Sequence, residues 1–149
     1  MTQGLVIVFW LALCALQDIR QRQIANALTL GGGLLALIYL LWMGVTWLGA
    51  SAAQGGWAFV LALLLTLPGY ALGRFGAGDV KLLAALALAT DVDYLLWSLI
   101  GAAVAQGAWL LIRQGLSARH SAVSETTSRK QPYAPFLLTG FALYWLWIH

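Results

Sequence analysis

The stretch GRFGAGDVKLLAALALA, residues 73–89, places one carboxylate, Asp79, at the mouth of an apolar run. Two glycines, Gly76 and Gly78, lead into it, and Lys81 is the last charge before the run continues in Leu and Ala alone. Leu and Ala are strong helix formers, so the run predicts a helix opening near residue 79 with the acid in its first turn. The free N–H groups and dipole of that turn favour an ionised carboxylate. The glycines remove side chains on the approach, leaving room for unusual backbone angles or for another chain to come close.

Working outward, the rest of the chain is as apolar as this run. Of its 149 residues, 62% are hydrophobic and only 9% are charged, and eight are Trp. A soluble domain of that length has too little interior to hide so much apolar surface. Runs of about twenty apolar residues point to helices that cross a bilayer. The length suits one domain, residues 1–149, with no separate folded unit beside it. The sequence pI is about 9.4, yet the net charge is only +3, so the basic residues read as topology anchors and no nucleic-acid partner is expected. A single cysteine, Cys14, excludes an internal disulfide and any multi-cysteine zinc site. It reads as a small packing residue within a helix.

Six apolar segments are expected, near residues 4–17, 26–48, 56–73, 79–90, 94–112 and 134–148. If they alternate in direction, all eight Lys and Arg residues gather on one side. The positive-inside rule makes that side cytoplasmic and leaves both termini outside. The other side receives Asp91 and Asp93 with Trp42, Trp47, Trp57, Tyr94, Trp97, Trp145 and Trp147, rings that favour the headgroup level. The fold class is therefore all-α, a polytopic bundle of six transmembrane helices. Residues 113–132, RQGLSARHSAVSETTSRKQP, read as a polar, flexible cytoplasmic loop, and its His120–Ser121 pair as solvated.

Topology sorts the five acids. Asp91 and Asp93 suit a turn or helix cap, and Glu125 a solvated loop. Asp18 and Asp79 instead sit at helix ends at the edge of hydrocarbon, where an unpaired charge is costly. They are 79 − 18 = 61 residues apart, and alternation returns them to the same face. One reading makes each an interfacial anchor, with Asp18 beside Arg20 or Arg22 and Asp79 beside Lys81. The other makes them a proton-sharing pair able to hydrolyse a peptide bond, one carboxylate activating water while its protonated partner binds the carbonyl. No HExxH or GxSG motif offers a rival hydrolytic chemistry, and no metal or other cofactor is needed.

At these residues the chain resembles the type IV prepilin peptidases, GxGD-type membrane aspartyl proteases. DIRQRQIAN (18–26) is similar to the family's first motif, an aspartate, five residues and then I-P-N. GAGDVKLLAALA (76–87) resembles its GxGDxKLLAA signature, and PYAPFLLTG (132–140) its late P-[FY]-G-P-F stretch. The resemblance implies catalytic Asp18 and Asp79, with Asn26, Arg74, Gly76, Gly78 and Lys81 as substrate-binding or supporting residues. It implies a prepilin or pseudopilin precursor as partner, met in the lipid of a prokaryotic inner membrane and cut on the cytoplasmic side, typically after Gly. Ala25 and Ala134 replace the family's Pro and Gly, which leaves the local backbone open to difference. Only 17 residues precede Asp18, and the cysteine-rich region of longer members is missing. The expectation is thus the short peptidase-only form of Flp/Tad-type systems and archaeal relatives, without N-methyltransferase activity. The alternative is a non-enzymatic, proton- or cation-coupled transport subunit, for which the polar residues within the helices, Thr46, Thr66, Ser98 and Gln106, are sparse.

Overall fold

A computed structural model describes residues 1–117 and 132–149. They form six helices: α1 (Thr2–Gln21), α2 (Asn26–Met43), α3 (Ala52–Ala71), α4 (Ala77–Ala89), α5 (Val92–Ser117) and α6 (Ala134–Ile148). Four of them, α1, α2, α3 and α5, are long and apolar enough to cross a membrane. Helix α4 has 13 residues and rises about 20 Å, short of a hydrocarbon core of about 30 Å. Its length matches its place, because α2 and α3 pack along it and α5 touches it. Leu82, Leu83, Leu86 and Ala87 are wholly enclosed. A helix apolar on every side belongs in an interior, so α4 is the core of one half of the molecule. In the other half α6 packs between α1 and α5.

The helix ends are set by local chemistry. Helix α2 stops at Gly44, whose φ of 71° suits glycine, four residues before the expected end at 48. Ser51 accepts the Gln54 N–H and starts α3, and the Asp91 carboxylate accepts the Tyr94 N–H at 2.9 Å and starts α5. Helix α5 continues through Ser117, so residues 113–117 of the expected loop are helical. Residues 118–131 of that loop, with His120 and Glu125, lie outside the described residues.

The contacts show which ends meet. Trp47 Nε1 donates to Gln3 O at 3.2 Å, Leu48 N to Ala89 O at 3.2 Å, and the Trp145 indole covers Gly4. The start of α1 therefore lies with the ends of α4 and α6 and the α2–α3 turn, as alternation requires. Of the rings expected there, Trp42, Trp57, Trp97 and Trp147 are exposed. Trp47 and Trp145 are half-buried, and each closes over the start of α1. Cys14 is buried and free.

Candidate active site

The opposite end of the bundle carries Asp18 and Asp79. Asp18 lies in the last turn of α1, and only 6% of it is exposed. Its Oδ2 accepts the Ala134 N–H at 3.0 Å, so the first amide of α6 and the positive end of that helix's dipole meet the carboxyl. The chain then turns at Arg22, which adopts φ 53° and returns its N–H to Asp18 O at 2.8 Å. A left-handed residue other than glycine costs about 1 kcal/mol or more. That strain sits directly beside the buried acid.

Asp79 is the third residue of α4 and half-buried. Gly76 precedes the helix with φ −77° and ψ 152°, ordinary extended angles. The unusual backbone expected at Gly76 and Gly78 is found instead at Gly73, with φ 71°. The α1–α2 connection lies against α4 at Gly78, where a Cβ would meet the Ile24 Cβ at 3.9 Å, an ordinary contact that does not demand glycine.

Asp18 and Asp79 line one cavity of about 700 Å³, ample for several residues of an extended peptide. Asn26, Arg74, Gly76, Gly78 and Lys81 line it as well, so every residue marked from the sequence comes to the same place. Lys81 Nζ donates to Asn26 Oδ1 at 3.0 Å, joining the start of α4 to the start of α2. Asn26 does not cap α2; Ala25 holds the cap position. Ala25 has φ −59° and ψ 134°, angles a proline would impose, so replacing the family's Pro leaves the backbone in place.

The sequence reading passed over other residues of the wall, among them Arg22, Phe75, Gln106 and Tyr133. Tyr133 packs edge-on to Phe75, with ring centroids 5.4 Å apart. Burial, and then the charge of Asp79, push its phenol up to about 12, so it stays protonated at neutral pH. Its place in PYAPFLLTG was the available signal. Gln106 carried none for this site, being an amide within an apolar helix. Among the described residues no three His, Cys, Asp or Glu side chains converge.

A sequence model of the type IV leader peptidase family matches residues 5–111, which is 107 of the 149 residues and takes in both aspartates. The chain belongs to the type IV leader peptidase family. No curated protein and no solved structure matched it. The matched span of this leader peptidase ends before Tyr133 and Ala134. Those residues join the site through the Ala134–Asp18 bond and the shared cavity wall.

Proposed function

We propose that this leader peptidase is a membrane aspartyl endopeptidase that removes the leader of a prepilin or pseudopilin, using Asp18 and Asp79. The observation that carries the reading is the cavity both acids line, at one end of an apolar bundle and walled by Arg22, Arg74 and Lys81. The pair shares one proton. The ionised carboxylate takes a proton from water as the water oxygen bonds to the scissile carbonyl carbon, and the protonated partner gives its proton to the carbonyl oxygen. The gem-diol then collapses: one hydroxyl gives its proton to the ionised aspartate as the C=O bond re-forms, the C–N bond breaks, and the leaving amine takes the proton of the other aspartate, so the pair again holds one proton. The protonated Tyr133 phenol supplies a neutral donor in the wall of the same cavity.

The finer reading is a six-span protein of a prokaryotic inner membrane with both termini outside and the cavity facing the cytoplasm. Its substrate is a short Flp-type precursor, cut after Gly at the border of its apolar helix, and the product is not N-methylated. The charge pattern supports this orientation, since the cavity end is the basic end. Nothing favours the transport alternative. Thr66 donates to Ala62 O at 2.6 Å, Thr90 donates to Leu86 O at 2.8 Å, and Thr46 accepts the Ala50 N–H at 3.0 Å. The three threonines are satisfied locally, whereas among the described residues the buried Ser98 Oγ has no partner and Gln106 lines the cavity, so no hydrogen-bonded relay links the named groups.

The test uses the purified chain in lipid vesicles with a precursor that spans a leader junction. Mass spectrometry of the products should show one bond cut, at the apolar border, and an unmethylated new amine. An intact precursor across several prepilin and pseudopilin sequences would overturn the proposal.

A further inference from the structure

Residues 24–26 form a short strap between the two acid-bearing helix ends. Ile24 is buried and lies over Gly78 of α4. The Ala25 N–H donates to Gln17 Oε1 of α1 at 3.0 Å. Asn26 accepts from Lys81 of α4 at 3.0 Å. Gln17 immediately precedes Asp18, while Gly78 and Lys81 flank Asp79. The strap is thus tied alternately to α4, α1 and α4, one residue at a time. Its middle tie is the one made to the Asp18 helix, and it depends on a single side chain.

We infer that Gln17 is a positioning residue, resting on the aspartyl peptidase reading above: by satisfying the Ala25 amide it keeps the strap in the extended shape that spaces the end of α1, and Asp18 with it, against the start of α4. A half-buried backbone N–H requires a partner. Without the Gln17 amide, the Ala25 N–H turns toward cavity water and the strap loosens between its two α4 contacts. The φ of −59° at Ala25 falls within proline's range. A proline there has no N–H to satisfy and holds the same φ by its ring, so it makes Gln17 dispensable.

This yields a four-variant cycle in the full chain: wild type, Gln17→Ala, Ala25→Pro and the double variant, each assayed for prepilin cleavage and for thermal unfolding in vesicles. Gln17→Ala should lower kcat about fivefold, the worth of one hydrogen bond, with KM within about twofold. Ala25→Pro should cleave like wild type, and the double variant should match it, because the contact that Gln17 serves is no longer needed. The melting midpoint should follow the same pattern, lowered by Gln17→Ala only where residue 25 is Ala. Full activity in Gln17→Ala overturns the inference. So does a double variant as impaired as Gln17→Ala, which would give Gln17 some other task. An inactive Ala25→Pro overturns it too, since the backbone would then not have the geometry described. If wild type cleaves no prepilin, the peptidase reading falls and the catalytic role with it, while coupling in the melting midpoints still reports the Gln17–Ala25 contact by itself.

Discussion

Gly140 lies where α6 crosses α5, and a single methyl group there should disturb the active site from a distance. A Cβ at Gly140 would stand 2.8 Å from Ala102 N and 3.1 Å from Gly101 C, with Ser98 O closer still. Gly101 faces it in kind, since a Cβ there would lie 2.5 Å from Gly140 Cα. The obstacles are backbone atoms, which cannot swing aside, so the helices must part by at least 3.4 − 2.8 = 0.6 Å to reach ordinary contact. Helix α6 lies between α5 and α1, and its first amide holds Asp18 at 3.0 Å. Parting from α5 presses α6 by about that much toward α1 and swings the Ala134 amide off the line of its 3.0 Å bond to Asp18, breaking it. Gly140→Ala should therefore cost about 1–3 kcal/mol of stability through overpacking and about fivefold or more in cleavage through the lost bond. Gly107→Ala, also on α5 but with nothing within 4 Å of its Cβ, is the control; it should be neutral or stabilising by up to about 1 kcal/mol. Melting and cleavage assays on the purified variants in vesicles read both effects. A Gly140→Ala protein that melts and cleaves like wild type would refute the reasoning.

Three further outcomes are expected. Lys81→Met and Asn26→Ala should each reduce cleavage, and the double variant should be little worse than either, because they share one bond; additive losses in kcat/KM would show separate roles. The Tyr133 phenol is raised from 10.0 to about 12 in the folded protein. Between those values the unfolded chain loses its phenolic proton first, so stability falls as pH rises through that window, by at most about 2–3 kcal/mol, with no effect below it. Melting midpoints measured from pH 9 to 12 should show this fall in wild type and lack it in Tyr133→Phe. Asp91→Ala removes the cap of α5 and should cost about 1 kcal/mol in melting experiments while leaving cleavage unchanged, which separates this acid from the pair at the other end.

The number of helices was legible in the sequence because each forms from its own apolar run, four of them long and apolar enough to cross a membrane. Asp18 and Asp79 were legible because a carboxylate at the edge of hydrocarbon is costly enough to ask for a reason. What escaped depends on contacts between segments, which no single run encodes. That Trp47 and Trp145 each find a partner at the start of α1 is something only the packing reveals. The end of α5 was masked by composition, since a polar sequence such as RQGLS continues a helix as readily as it begins a loop. Gly76 and Gly78 drew the expectation of unusual backbone, whereas the positive φ fell at Gly73 and the atoms nearest a Cβ at Gly78 stand at ordinary contact distance. Gln17 was invisible for the same reason: its value lies in the amide of a residue eight positions away.

The central claim is that two aspartates facing one cavity cut the precursor. Its most direct test is cleavage of a short pilin precursor by wild type, Asp18→Asn and Asp79→Asn at matched membrane levels, with Asp91→Asn as the acid that should not matter. The account predicts processing by wild type and Asp91→Asn, and none above background in Asp18→Asn or Asp79→Asn. Processing that survives both amide changes would contradict it and return Asp18 and Asp79 to the role of charges anchoring helix ends at the membrane surface.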